Sequence, residues 1–592
     1  MIKLSDFVFK YLKEAERVRD VFLLSGGGCM HLVDSLGSSG INYVCCLHEQ
    51  AAGIAASSYS QYVNGLGVAL VTTGPGGTNA VTPVAGAWTD SIPLLMLSGQ
   101  VKTADLSSRV GTRTLGFQEI DIVSIVKPIT KYAVTVTDPN EIKYHLQKAI
   151  YLATTGRQGP VWLDIPLDVQ SAIIEENTLE EFVPEKETCD LSVIAKKVAD
   201  LISKSDRPVI LAGNGIRLSG AYDSFMILAR RLEIPVMLSW RAADFMTEED
   251  PLYYGRPGTS GQRGANFIFQ NCDLLLSIGA RMDFGQIGFE HSTFSRESKK
   301  VFVDIDPNEL KKFAFTIDMP ICADAKDFIE TLSATEIIVK NISPWKAKCR
   351  HWNDSYPTVL QEYFNKDDGV STYALTEILA EHMGSEFVFA PSSSGASAEV
   401  TMQSIRVREG LRIINMPGLG SMGFCVPSAL GVAVASGKKT VCITGDGGFE
   451  MNVQELETIR RLNLPLTIFV LNNNGYGSIM NTQRNHFNSH FVASNPESGV
   501  TLPPLEKIAE AFGFRYYKVE SAQDVRNNLH ELIDSGLPVL CEVMVSKSEM
   551  TVPRVASKLG SDGKMHSQPL ENMFPFLDES ELESEMIVPR IK

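Results

Sequence analysis

Val441-Cys442-Ile443-Thr444-Gly445-Asp446-Gly447-Gly448, with Leu464-Pro465-Leu466-Thr467-Ile468-Phe469-Val470-Leu471-Asn472-Asn473-Asn474-Gly475 after it, decides the fold. Val441 to Thr444 is β-branched and apolar and reads as a buried strand. Asn452 to Leu462 reads as a helix, and Leu464 to Leu471 as a second strand. A strand-helix-strand unit makes the strands parallel and the crossover right-handed. Asp446 and Asn473 then stand at the carboxyl ends of two parallel strands, where open α/β sheets hold ligands. A carboxylate and an amide oxygen are hard donors suited to a divalent cation that takes its other ligands from a diphosphate. Gly445, Gly447 and Gly448 allow close backbone approach, and a helix starting near Phe449 aims its N–H groups at that anion. A glycine-rich turn or an Asn-rich loop alone would be ordinary; together they point to a metal-diphosphate site.

The rest of the chain agrees with a large α/β protein. Its 592 residues allow about three or four domains. A net charge of -16 argues against nucleic acid or an anionic membrane surface as partner. No apolar run reaches the roughly 20 residues needed to span a bilayer. The amino-terminal stretch, with Leu4, Phe7, Val8, Tyr11 and Leu12 at helical spacing, reads as an amphipathic helix rather than a signal peptide. Ten cysteines without CxxC spacing predict reduced thiols and a cytoplasmic protein.

Strand-like and helix-like stretches alternate throughout, predicting three doubly wound parallel-sheet domains. Their expected limits are 1–174, 190–345 and 365–546, with a tail over 547–592 lying on the surface. The acidic stretch Glu175 to Asp190, including Glu176, Glu180, Glu181, Glu185 and Glu187, reads as a solvated linker. Val71-Thr72-Thr73-Gly74-Pro75-Gly76-Gly77 parallels Ile443 to Gly448, and Ile92-Pro93-Leu94-Leu95 parallels Leu464 to Thr467. The first and third domains therefore read as duplicates. Pro75 stands where the third domain has Asp446, so only the third can bind the cation.

Glu49 ends the apparent strand Ile41 to Leu47 and precedes a helix of small residues, Ala51, Ala52, Gly53, Ala55, Ala56, Ser57 and Ser58. Tight packing there would bury Glu49, and burial raises a carboxyl pKa into a range useful for proton transfer. The alternative is that Glu49 stabilises the first helical turn and faces water.

The chain resembles the thiamine-diphosphate-dependent enzymes of the acetolactate synthase family over most of its length. The resemblance is carried by His48-Glu49-Gln50-Ala51-Ala52, Thr73 to Asn79, Asp90-Ser91-Ile92-Pro93, Phe117-Gln118-Glu119, Gly159-Pro160-Val161, Gly418 to Phe424 and Gly445 to Asn473. It implies a pyrimidine-binding first domain, with Thr73, Pro75 and Asn79 near the cofactor and Glu49, Phe117 and Gln118 in catalysis. Glu49 would bond the aminopyrimidine and drive its tautomerisation. In the third domain it implies Gly395, Gly420, Met422, Gly445, Asp446, Gly447, Gly448, Asn473, Gly475 and Tyr476 around the diphosphate. Asp446, Asn473 and the Gly475 carbonyl would hold Mg2+. It further implies decarboxylation of pyruvate or a close 2-keto acid, transfer of the two-carbon unit to a carbonyl acceptor, a homodimer or homotetramer, and a regulatory subunit as a partner to test for.

Three features refine that picture. Simple pyruvate decarboxylases of the superfamily carry a histidine pair in the first domain, whereas Ser107 to Glu119 has no histidine, which favours carboligation. The segment Ser478 to Gln483 lacks the family's usual Trp, and Ala390 to Gly395 lacks its acid; both suit a larger or more polar acceptor, such as a keto-sugar nucleotide. In the central domain Arg157, Arg281 and Asp304 fall at FAD-contacting positions of the family, and Gly255, Gly258 and Gly261 resemble that pocket's glycines. A domain that only packs between the others is the alternative. Gly418 to Gly423 also matches the dinucleotide pattern GxGxxG, but no acid follows near Ser436 to Thr440, so a nicotinamide oxidoreductase is the distant reading. His486 and His490 have zinc-like spacing without HExxH and read as loop histidines.

Overall fold

The third sheet contains the two strands quoted above, and its plan is repeated in the first. A computed structural model describes residues 1–184, 190–546, 549–559 and 563–590. The first sheet comprises β1 (Asp20–Leu23), β2 (Asn42–Cys45), β3 (Gly67–Val71), β4 (Leu94–Gln100), β5 (Tyr132–Thr135) and β6 (Pro160–Pro166), all parallel, in the order β2-β1-β3-β4-β6-β5. Every residue of β3, β4 and β6 is buried, as expected of parallel strands covered on both faces. The second sheet comprises β7 (Pro208–Ala212), β8 (Val236–Leu238), β9 (Leu274–Ile278), β10 (Lys299–Asp304) and β11 (Met319–Cys322), in the order β8-β7-β9-β10-β11. The third has β12 (Phe387–Pro391), β13 (Arg412–Ile413), β14 (Lys439–Gly445), β15 (Leu466–Asn472), β16 (Arg515–Val519) and β17 (Val539–Met544), in the order β13-β12-β14-β15-β17-β16. Counted within each domain, the first and third orders are identical, which supports the duplication.

The first and third domains share a core. Helix α1 (Glu49–Val63) lies against helix α2 (Cys425–Ser436), and their small residues permit a very close approach. A Cβ on Gly431 would stand 2.1 Å from the Ala55 carbonyl oxygen. The Ser58 hydroxyl donates to Ser428 Oγ at 2.8 Å across the same seam. A second link runs through the central domain: the Asp244 carboxylate, 1% exposed, pairs with Arg217 at 2.8 Å and with Arg412 of the third domain at 3.0 Å.

Several expectations change. The helix predicted over Asn452 to Leu462 is broken: a helical turn at Asp446–Phe449 and a 3-10 turn at Glu450–Asn452 precede a short helix, Glu455–Arg461. The acidic stretch is not simply solvated. Glu176 pairs with Lys10 and Glu181 with Lys143, while Leu179 is buried and Phe182 packs on Tyr144 and Tyr151. Glu185 and Glu187 lie outside the described residues. Cys425 and Cys442, expected as thiols, are joined in a disulfide; a separation of 17 residues hides the pair from any CxxC-type pattern. The tail is not loosely laid on the surface. Leu570, Met573 and Leu582 are core residues of the central domain, and Asn271 Oδ1 accepts from the backbone N–H of Ile587 at 2.7 Å.

Candidate active site

In the third domain the backbone gathers its donors around one carboxylate. Asp446 is 3% exposed; Oδ1 accepts from the Gly447 N–H at 2.8 Å, and Oδ2 from the N–H groups of Asn473 and Gly475, each at 3.1 Å. The ends of β14 and β15 are thereby tied together. Burial pushes the Asp446 carboxyl up, while the N–H groups of Gly475, Gly447 and Asn473 pull it down. Asn473 Oδ1 is buried without a hydrogen-bond partner. Such an orphan is costly unless a ligand satisfies it. Nothing lies within 4 Å of where a Cβ on Gly445 would stand, so the turn is open on that side. A divalent cation and a diphosphate fit this donor set, with Asp446 and Asn473 as oxygen donors and the Gly445–Gly448 backbone as cradle.

Around this turn the other third-domain residues converge. A Cβ on Gly447 would meet the Tyr476 ring at 2.3 Å and the Met422 methyl at 3.4 Å, so these three share one wall. Gly475 has φ +147, and a Cβ there would strike the Ser494 carbonyl oxygen at 2.3 Å; only glycine fits. The loop ends Gly395 and Gly420 close the mouth: a Cβ on Gly395 would lie 3.0 Å from Ser478 Oγ, and one on Gly420 would lie 3.8 Å from the Ser393 carbonyl oxygen. A Cβ on Gly448 would touch Thr444 Oγ1 at 3.4 Å. Glu450 was not anticipated. Its Oε1 is buried without a partner, and burial, then the Asp446 charge, raises its carboxyl.

In the first domain Glu49 is 7% exposed at the start of α1, and it is the His48 side chain, Nδ1 accepting from the Gln50 N–H at 3.0 Å, that caps the helix. Asn79 Nδ2 donates to Glu49 Oε2 at 3.0 Å, which fixes the carboxylate. Pro75 opens the short helix Pro75–Asn79, and Thr73 Oγ1 is also buried without a partner. Gln118, at φ +65, brings its carbonyl oxygen to 2.1 Å from where a Cβ on Gly74 would stand, while Phe117 beside it is 89% exposed. The two halves meet within the chain. Asn452 Nδ2 donates to Gln50 Oε1 at 2.9 Å and to the Gly423 carbonyl at 2.7 Å, and Glu455 Oε1 accepts from the Leu47 N–H at 2.8 Å. The bond to Glu49 itself comes from its own domain.

A cavity of about 770 Å³ opens where the first, central and third domains join, at the carboxyl ends of the second sheet. It lies over the junction of β7 and β9, the point at which the strand order reverses and where such sheets bind ligands. Arg157, Arg281 and Asp304 all line it. Arg157 is already paired with Asp306 at 2.8 Å and Glu309 at 2.5 Å, and Arg281 with Asp283 at 2.5 Å. Burial raises the Asp304 carboxyl to about 6. Gly255, Gly258 and Gly261 stand behind the wall, and their neighbours Pro257 and Thr259 face the cavity instead. Asp90, a further lining residue, accepts from the Gly418 N–H at 3.1 Å and so touches the loop that carries Met422. His486 and His490 are exposed, and among the described residues no group of three His, Cys, Asp or Glu is placed to hold a metal. No helix among the described residues is long and apolar enough to cross a membrane.

Comparison with known proteins matches these domains one by one. The N-terminal TPP binding domain of thiamine pyrophosphate enzymes matches residues 2–125, their central domain residues 195–332, and their C-terminal TPP binding domain residues 393–543. A probable acetolactate synthase large subunit of Methanocaldococcus jannaschii is 32% identical over 562 residues, covering 90% of this chain and 91% of that protein. The acetolactate synthase large subunit of Cyanidium caldarium is 30% identical over 597 residues, covering 96% and 97%. That of Corynebacterium glutamicum is 30% identical over 578 residues, covering 95% and 90%.

Proposed function

The chain belongs to the thiamine pyrophosphate enzymes, with acetolactate synthase large subunits among its relatives, and from that premise we propose a division of labour among its residues. The protein is a thiamine-diphosphate-dependent carboligase that decarboxylates pyruvate and joins the two-carbon unit to a carbonyl acceptor. When bound, the cofactor's thiazolium ring supplies the electron sink for loss of carbon dioxide. Asp446, Asn473 and the Gly475 carbonyl hold Mg2+, and the Gly445–Gly448 turn holds the diphosphate. Met422 and Tyr476, sharing a wall with Gly447, support the cofactor from the third-domain side. Glu49 offers its carboxyl oxygen Oε1, the oxygen not bonded by Asn79, for proton exchange with the cofactor. Thr73 Oγ1, without a protein partner, is a second polar contact. The single observation that carries this reading is the orphaned Asn473 Oδ1 beside the thrice-bonded Asp446.

Each complete site joins Glu49 of one copy to Asp446 of another. Exposed apolar residues border both halves, Leu115 and Phe117 in the first domain and Leu419, Met451 and Ile479 in the third, and such borders mark contact surfaces. The designation "large subunit" borne by the relatives supports a smaller partner polypeptide as well.

The acceptor is a polar carbonyl compound. Ser392, Ser393 and Ser394 follow β12, with Ser392 and Ser393 buried, and no residue of helix Gly477–His486 is buried. The acetolactate synthase relatives support a second 2-keto acid as acceptor, and the open helix Gly477–His486 leaves a keto-sugar nucleotide as the second reading. With labelled pyruvate and mass spectrometry, the expected outcome is acetolactate from pyruvate alone, and a product that forms only when a keto-sugar nucleotide is supplied would establish the second reading. Efficient acetolactate formation from pyruvate alone would remove the sugar reading, and free acetaldehyde as the sole product would make the protein a simple decarboxylase.

We assign the central cavity to FAD in a structural role. Its volume lies within the roughly 300–1,000 Å³ of small-molecule sites, and it lies over the strand-order reversal of the second sheet, with Arg157, Arg281 and Asp304 in its lining. Purified protein should release about one flavin per chain on denaturation; colourless protein that takes up no added flavin would leave the cavity to another ligand.

A further inference from the structure

Beneath the first-domain half of the site lies a buried carboxylate that the reaction does not touch. Asp164, on β6, is 1% exposed. Its Oδ1 accepts from the Ser98 hydroxyl at 2.6 Å, and its Oδ2 from Gln100 Nε2 at 3.0 Å and the Thr135 hydroxyl at 3.1 Å. These donors come from the two neighbouring strands, β4 and β5. The surroundings are dry enough that burial raises the Asp164 carboxyl to about 7 against all three hydrogen bonds.

Gln100 is the end of β4 and the last residue before an irregular segment of about 20 residues. Its Nε2, already bonded to Asp164, also donates to the Ile120 carbonyl at 2.9 Å, and its Oε1 accepts from the Val101 N–H at 2.9 Å. One amide thus clips the first residue of the segment to its last. Inside the segment the Glu119 carboxylate accepts from the N–H groups of Ser107 at 2.5 Å and Leu115 at 2.7 Å. Thr103, near the start, is held by Asp168 through its N–H at 2.9 Å. What this framework presents is Gln118, whose carbonyl oxygen rests on Gly74. Gly74 caps the helix Pro75–Asn79, and that helix carries the Asn79 amide bound to Glu49.

We propose that Asp164 and Gln100 are positioning residues, a buried carboxylate-amide clip that closes segment 101–120 and sets where its Gln118 backbone bears on Gly74 beside Glu49. This rests on the reading of Glu49 as the proton-exchanging group. Asp164 and the Val101 N–H together keep the Gln100 amide from turning over, Oδ2 accepting from Nε2 while Oε1 is taken by the Val101 N–H. The amide holds both ends of the segment, and the geometry passes through Gln118, Gly74 and Asn79 to the Glu49 carboxylate. A displacement of about 1 Å at such a site costs on the order of 100-fold in rate.

Gln100→Met keeps the volume and removes the clip; Asp164→Asn keeps the shape and removes the fixed acceptor. Each variant is assayed as the full-length enzyme at saturating thiamine diphosphate and Mg2+, and its segment is probed by trypsin at the exposed Arg109 and Arg113. Gln100→Met should lower kcat on the order of 10- to 100-fold with little change in the cofactor concentration for half activity, and cleavage at Arg109 and Arg113 should speed up. Asp164→Asn should show the same pattern more weakly, and Asp164→Glu, which retains the acceptor, should recover part of kcat. Wild-type kcat together with unchanged cleavage in both variants would overturn the clip, as would equal losses in Gln100→Met and Gln100→Asn at unchanged cleavage. Glu49→Gln serves as the control: it should lose activity with the segment fully protected. Should Glu49→Gln stay active while Gln100→Met loses the segment's protection, the clip stands and the role given to Glu49 falls.

Discussion

Glu49→Gln lowers turnover by about 100- to 10,000-fold, the usual contribution of a positioned acid-base group. The substitution is nearly isosteric, and the local bonding explains why the fold should tolerate it. A glutamine at 49 can place its amide oxygen where Oε2 now accepts from Asn79, and His48 still caps the helix through its bond to Gln50. What is lost is the carboxyl oxygen over Gly76, where a Cβ would stand 3.5 Å from Oε1. Thermal stability should change by no more than about 1 kcal/mol, the net worth of one hydrogen bond. Steady-state kinetics, with cofactor binding and a melting curve on the same preparation, test all three statements. A variant with wild-type kcat removes Glu49 from the mechanism.

Asp446→Ala acts on binding instead of on proton transfer. It removes a carboxylate that organises three backbone N–H groups and, with Asn473, would hold the cation. Loss of a partner that merely orients a metal ligand typically costs 10- to 100-fold in affinity. Loss of the ligand itself should therefore raise the Mg2+ concentration for half activity by more than about 100-fold, with a parallel rise for thiamine diphosphate, both readable by titration. Unaltered titration curves would place the metal elsewhere. The two inactive variants also test the shared site when mixed. In a dimer of one Glu49→Gln chain and one Asp446→Ala chain, one site carries both lesions and the other carries neither. Random reassortment then restores about a quarter of wild-type activity, whereas sites built within one chain give no recovery.

The sequence makes some of this architecture readable and hides the rest for definite reasons. Asp446 and Asn473 stood out because ligand chemistry fixes both the residue type and its place at a strand end. The small residues of α1 were legible because close helix packing leaves no alternative to Ala, Gly and Ser. The duplication was visible in two short strand-turn runs, and the shared strand order follows from it. Side chains that meet across domains leave no such trace. Asp90 reaches Gly418, Asp244 joins Arg217 to Arg412, and Gln50 meets Asn452, without any periodicity to announce them. Arg157 and Arg281 line the central cavity, and their carboxylate neighbours leave no mark in the sequence, since an ion pair is set by three-dimensional placement. Glu450 did carry a signal, an acid one helical turn after Asp446, though its orphaned oxygen appears only once the turn is folded.

The tail has a consequence for how such a chain can be rearranged. Asn271, Arg263 and Gln270 take their partners from residues 316, 312 and 301 positions further on. Cut out alone, residues 191–345 would lose those partners, at about 1–3 kcal/mol for each group left unsatisfied, a large share of the roughly 5–15 kcal/mol that keeps any domain folded. The middle of this protein is consequently not an interchangeable cassette: a chimera that swaps it between relatives must bring the matching tail along or fail to fold.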